Sequence, residues 1–178
     1  MIRYKANLAI ECTPVESLPD KGELHQISEN NHECLKQALL LDELSCAHLD
    51  EHAFDSKDAS RLDKKLDLLL GLLGSLIAKQ KQATSTAQVT VGSNDIEWQR
   101  HDTTAIRHSD LIMVQLYIHP LSVDPLQLYC RVSEANTETI TASIVSLEAT
   151  EQELLEKYIF LNHRRTIAAE RKPHPSQG

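Results

Sequence analysis

Between Ser56 and Gln80 the apolar residues fall at Ala59, Leu62, Leu66, Leu69, Leu73 and Leu76, alternating three and four residues apart. That is the a/d spacing of a coiled-coil seam, in which each knob enters a hole on a facing helix. Leu68, Leu70, Leu72 and Ile77 lie beside the seam, so from Leu66 onward the predicted helix is apolar over most of its circumference. A helix of that kind needs burial on two sides. The pattern fits a central helix of a monomer, and it fits better a helix shared between its own domain and a second subunit. Leu62, Leu66, Leu69, Leu73 and Leu76 are then the oligomerisation contacts. Gly71 and Gly74 each cost about 1 kcal/mol of helix propensity and admit close approach of a neighbour.

The flanking segments predict other elements. Ile2 to Cys12 alternates loosely as a strand, ended by Thr13-Pro14. Residues 15–28 are polar, with a Pro-Asp and a Lys-Gly step, and read as loop. Glu29 to Leu49 reads as a helix with a mixed stripe of Leu35, Ala38, Leu39, Leu41, Leu44 and His48. Ser56 caps the heptad helix after a connection at 50–55, so the two helices could form an antiparallel pair. After Lys81 the period becomes two. Ala87, Val89 and Val91 alternate with polar residues, and Ile96 and Trp98 share a face. Leu111 to His119 reads as a strand buried on both sides or set in a barrel wall. Residues 126–132 and 139–147 follow as further strands. Short strands spaced by turn signals suggest a small antiparallel barrel or sandwich. Thr150 and Glu153 form a capping box for a last helix to about Glu170, with Leu154, Leu155, Tyr158, Ile159 and Leu161 as its stripe.

At 178 residues the chain is one domain with room for a real core. Eighteen basic against 26 acidic residues give a formal charge of −8, which argues against nonspecific binding to nucleic acid or anionic membrane. Cys12, Cys34, Cys46 and Cys130 are scattered without a CxxC pair and read as buried reduced thiols. Met1 to Lys5 is followed by no long apolar run, and Leu68 to Leu73 is far too short to span a bilayer. The expectation is a soluble, cytoplasmic protein.

Three stretches, LDKKLDLLLGLLGSLI, VTVGSNDIEW and LEKYIFLNHRRTIAAERK, occur in the order helices, strands, capped helix. In that order they resemble the atypical PilZ family, cyclic di-GMP receptor-like domains with heptad-bearing helices attached to a barrel. The resemblance covers roughly residues 2–172. It implies an α+β fold: a PilZ-like six-stranded antiparallel β-barrel with two long heptad-bearing helices in the N-terminal half and a C-terminal helix. The expected layout is a single domain over residues 1–178, with a helical oligomerisation insertion at about 29–81. Barrel strands are expected at about 2–12 and 86–148, and the last helix at about 150–171. Tetramerisation in some members and roles in surface-associated behaviour or virulence are further implications.

PilZ domains that bind cyclic di-GMP carry RxxxR before the barrel and (D/N)xSxxG at its wall. Arginine forks bind phosphates and stack on guanines, and small residues let the backbone approach the ligand. Here the second signature falls on Thr90, Gly92 and Asp95, which all depart from it, and no RxxxR occurs in the chain. Asp95 adds a negative charge that disfavours a dianion. The clustered cations are instead Arg164, Arg165 and Arg171. They are candidate contacts for cyclic di-GMP or another anion, or else they compensate a helix dipole.

No metal or resident cofactor is expected. His48 and His52 are the only i, i+4 histidine pair, and no third ligand is spaced to join them. Trp98 and Tyr117 read as core. GxSxG, P-loop, HExxH and Gly-rich dinucleotide motifs are absent, so an enzyme is not expected. The sequence therefore points to a regulatory adaptor in cyclic di-GMP signalling. It would assemble as a dimer or tetramer, bind a signalling protein partner, and have degenerate nucleotide motifs. The alternative is a true cyclic di-GMP sensor using the C-terminal arginines.

Overall fold

The computed structural model describes residues 2–47, 66, 69–71, 73–74, 85–100, 106–122 and 124–170. Six strands, β1 (Tyr4–Pro14), β2 (Ser85–Val91), β3 (Asp95–Gln99), β4 (Leu111–Tyr117), β5 (Leu126–Ala135) and β6 (Thr139–Ile144), close into a barrel of order β1-β2-β3-β6-β5-β4. Every pairing is antiparallel. Closure comes from the long β1. Its first half pairs with β2, as in Leu8 with Ala87, and its second half with β4, as in Cys12 with Val114. The alternation in the sequence has a single meaning here: one face of each strand fills the interior. Val89, Val91, Ile96, Ile112, Val114, Leu116, Leu126, Leu128, Val132 and Ile140 are almost wholly buried.

β4 is thus a barrel wall rather than a strand buried on both faces, and Tyr117 lies half-buried on the outer side while Trp98 is core. β1 also runs past Cys12 to Pro14, which pairs with Ile112. Proline is tolerated there because the next ladder bond is made by Val15 N to Leu111 O, so the N–H position of residue 14 faces away from β4 and no bond to that strand is lost.

Among the described residues two long helices pack on the barrel, α1 (Lys21–Ala47) and α2 (Ala149–Glu170). α1 begins eight residues before the sequence-expected start at Glu29. Asp20 Oδ1 accepts from Gly22 N at 2.8 Å and Glu23 N at 2.9 Å, so Asp20 is an N-cap and its Pro-Asp step opens a helix. α2 starts earlier than Thr150 and Glu153 suggest. Glu148 stands at its cap, and Glu151 Oε2 accepts from Glu148 N at 3.0 Å, the reciprocal half of a capping box.

The helices run parallel. Ser28 and Asn31 meet Glu151 near their N-terminal ends, and Asp42 meets Asn162 and Arg165 near their C-terminal ends. Leu35, Ala38 and Leu39 of α1 and Leu155, Tyr158 and Ile159 of α2 are buried in the shared core. Polar fasteners connect this pair to the barrel. Asn31 Nδ2 donates to Gln127 O and Asn31 Oδ1 accepts from Gln127 N, each at 2.8 Å. The Tyr158 hydroxyl donates to Ile118 O at 2.6 Å, and its ring meets Tyr4 edge-on with centroids 5.8 Å apart.

The heptad segment is helical at Leu66, Leu69–Gly71, Leu73 and Gly74. Gly74 lies against the β4–β5 connection: a Cβ there would come within 2.9 Å of Leu121 Cδ2, whereas one at Gly71 would meet nothing within 4 Å. Leu62, Leu76, the His48/His52 pair and the expected antiparallel packing of this segment lie outside the described residues.

Candidate functional site

Each sequence-expected site residue has a definite place where it is described. Leu66, Leu69 and Leu73 are 50%, 60% and 54% exposed, and Leu70 beside them is 42% exposed. Four large apolar side chains within two helical turns, all accessible to water, form a face that the chain itself does not bury.

Thr90, Gly92 and Asp95 lie at the β2–β3 hairpin. Gly92 N donates to Asp95 O at 2.8 Å and closes the turn. A side chain at Gly92 would overlap Asp95 Oδ1, so the missing Cβ leaves room for the Asp95 carboxylate. The other oxygen, Asp95 Oδ2, is ion-paired with Arg3 from the start of β1, and Arg3 Nη1 lies 4.0 Å from Glu97 Oε2. The arginine at this hairpin is therefore engaged by the protein's own carboxylates. Sequence reasoning passed over Arg3 because it belongs to no motif. The antiparallel register that carries β1 alongside β2 brings it to the hairpin.

Arg164 and Arg165 lie on α2, but not in its last turn, which holds no basic residue. Their role as compensators of the helix dipole is correspondingly small, since that effect falls off within the final turn. Arg164 is exposed, with its guanidinium carbon 5.6 Å from the centroid of the Phe160 ring, and Phe160 is itself 44% exposed. Arg165 turns inward. Its Nη1 lies 2.9 Å from Asp42 Oδ1, and its Nη2 donates to Asp42 O at 2.9 Å. Asn162 Nδ2 donates to the other carboxylate oxygen at 3.0 Å. Arg171 lies outside the described residues.

The surroundings of this ion pair are aromatic and partly dry. Burial raises the Tyr158 phenol, and the nearby Tyr4 and the Asp42 charge add to the shift. Burial and the Asp42 charge likewise raise Tyr4, with Arg165 opposing in both cases. Cys34 and Cys130 are buried thiols, whereas Cys12 is half-buried rather than core. Burial raises the Cys130 thiol far above its ordinary value.

Among the described residues no group of three or more His, Cys, Asp or Glu side chains could hold a metal. No described helix is long and apolar enough to cross a membrane. A cleft of about 590 Å³ opens between α1 and the start of α2, lined by His25, Glu29, His32 and Glu148 among others. It lies at the N-terminal ends of the parallel helices, away from the arginines.

A closed six-stranded antiparallel barrel with helices on its side is a PilZ-like α+β fold. The family model described as "Atypical PilZ domain, cyclic di-GMP receptor" matches residues 36–172, and the chain belongs to that family. The fold is similar to the crystal structure of a pathogenic protein from Xanthomonas campestris, described as a tetrameric PilZ domain self-assembled via an unusual helical bundle. The similarity has a TM-score of 0.67 at 20% identity, and spans 94% of this chain and 91% of that one. No curated protein sequence matches.

Proposed function

We propose that this protein is a regulatory adaptor in cyclic di-GMP signalling that acts through self-assembly and contact with a signalling protein, with nucleotide binding weak or lost. The observation that carries the reading is the engagement of Arg3 by Asp95 and Glu97. An anionic ligand at the hairpin would have to displace a carboxylate already in contact and then lie beside it. Thr90 and Asp95 stand where the family signature asks for other residues. The role we assign is not enzymatic. The site of action we assign is the cytoplasm.

Self-assembly is supported by the exposure of Leu66, Leu69 and Leu73 and by the helical bundle of the Xanthomonas protein. Leu62 and Leu76 continue the same seam in the sequence. A dimer or a tetramer would cover the face.

A second reading has one observation in its favour: exposed Phe160 with the Arg164 guanidinium over it offers a stacking platform for a base. In that reading the protein is a cyclic di-GMP sensor using Arg164, Arg165 and Arg171. Calorimetric titration with cyclic di-GMP, with cyclic di-AMP and GTP as controls, separates the two. The adaptor reading expects no saturable heat. Specific heat that is lost in Arg164→Ala would establish the sensor. For assembly, Leu66→Asp with Leu73→Asp should reduce the molar mass in light scattering to that of one chain, and an unchanged mass would remove the heptad seam from the proposal.

A further inference from the structure

Arg165 and Asp42 meet near the C-terminal ends of α1 and α2, and theirs is the only ion pair joining the two helices among the described residues. The Asp42 side chain is 12% exposed and both its oxygens are bonded, one by Arg165 and one by the neutral Asn162. Arg165 is its charge partner, and 33% of that side chain remains exposed. The guanidinium fork is divided: one nitrogen reaches a carboxylate oxygen, the other the Asp42 main-chain carbonyl. It does not grip the carboxylate with two parallel bonds, the arrangement in which an arginine–carboxylate pair is strongest. A phosphate offers two oxygens at the spacing of that fork, and the neighbouring Arg164 is exposed and supplies a second positive charge.

We propose that Asp42 is an internal competitor for phosphate-bearing anions at Arg165, and that an anion taken up there releases the C-terminal end of α1 from α2. The release follows from what is left behind. Without Arg165, the Asp42 carboxylate keeps only Asn162, in surroundings that include the raised phenols of Tyr4 and Tyr158. A buried charge stripped of its partner is strongly unfavourable, and moving to water relieves it. The opening is confined to one end. Ser28 and Asn31 still hold Glu151 at the other, and Asn31 still holds Gln127. The freed end is the one from which the chain continues toward the heptad residues. Anion binding and anchoring of α1 are therefore coupled, and the coupling is reciprocal: loosening α1 strengthens anion binding by the same factor.

The inference rests on Arg165 being a potential anion contact and is independent of whether the wild-type protein binds cyclic di-GMP. Sodium pyrophosphate is the probe, titrated by calorimetry at low ionic strength into wild type, Asp42→Asn, and Asp42→Asn with Arg165→Gln. Asp42→Asn should bind at least tenfold more tightly than wild type, and the added Arg165→Gln should return the affinity to the wild-type level. In parallel, amide exchange is followed in the wild-type chain at tens of millimolar pyrophosphate and in sodium chloride of matched ionic strength. Exchange over Leu39–Glu43 should be at least tenfold faster with pyrophosphate, with Ser28–Asn31 unchanged. Equal affinity of Asp42→Asn and wild type would overturn the proposal, as would tight binding that survives Arg165→Gln. Should Asp42→Asn fail to fold, the exchange experiment decides: equal exchange in the two salts rejects the coupling. Heat from cyclic di-GMP in the wild-type titration would reject the adaptor reading and leave these outcomes to be read separately.

Discussion

The carboxamide of Asn31 bonds both the N–H and the C=O of Gln127, at 2.8 Å each, and so takes the place of a neighbouring strand. β6 last pairs with β5 at Cys130, leaving the start of β5 without a ladder partner on that side. Asn31, nearly wholly buried on α1, supplies it, and its amide nitrogen also reaches Glu151 at 3.0 Å. One side chain thereby ties α1, α2 and the barrel together. Asn31→Leu should lower unfolding free energy by about 3 kcal/mol, because two part-buried backbone groups and a buried carboxylate lose a partner at once. Urea denaturation followed by circular dichroism reads this directly.

Gly71→Ala should stabilise the protein by about 0.5–1 kcal/mol, since the residue is helical and a Cβ meets open space. Gly74→Ala should gain less, because Leu121 Cδ2 lies at 2.9 Å and its side chain must turn aside. The difference between the two midpoints in urea is the measurement. A larger gain at Gly74 would mean that the heptad segment does not rest on Leu121.

Burial raises the phenols of Tyr158 and Tyr4. A proton held more tightly in the folded state gives stability that is complete below the unfolded tyrosine value, about 10, and is lost as pH climbs above it. Absorbance at 295 nm should therefore show these two rings ionising together with unfolding. In Tyr158→Phe the alkaline transition should move up in pH by the loss of one linked proton, while stability at pH 7 falls by about 1 kcal/mol with the bond to Ile118.

Cys130 is wholly buried, and burial raises its thiol. Thiolate is the reactive form, so Cys130 should resist iodoacetamide at pH 8 until the chain unfolds. Half-buried Cys12 should react first. Peptide mapping after partial labelling distinguishes the two, and early labelling of Cys130 would contradict the packing of the barrel interior.

Strand-by-strand alternation made the barrel residues readable, because a wall with one buried face imposes period two on every strand. The closure of that wall was not readable, since it depends on β1 having two partners. Asn31 and Asp42 occupy positions on the α1 stripe that also holds Leu35, Ala38 and Leu39. Polar residues at core spacing were the available signal for the two fasteners. The heptad pattern outweighed it, because leucines repeat visibly while a buried amide shows its worth only through a distant partner. The early start of α1 was hidden for a related reason: its first turns are polar and mostly exposed, so the cap at Asp20 had no stripe to announce. The arginines were legible as a cluster, but their partners were not. Asp42 lies 123 residues from Arg165 in the chain and Asp95 lies 92 from Arg3.

The circular order of the six strands gives every strand of the described sheet two neighbours, with Asn31 standing in where β6 stops. Recognition by strand addition, in which a partner peptide extends a sheet through main-chain bonds, is confined among the described residues to strand ends that outrun their neighbours, such as Ser85–Gln88 on the β3 side. Elsewhere a partner is read by side chains. Selectivity would then be written in the helices and the outer barrel residues, where single substitutions can retune it without disturbing the fold.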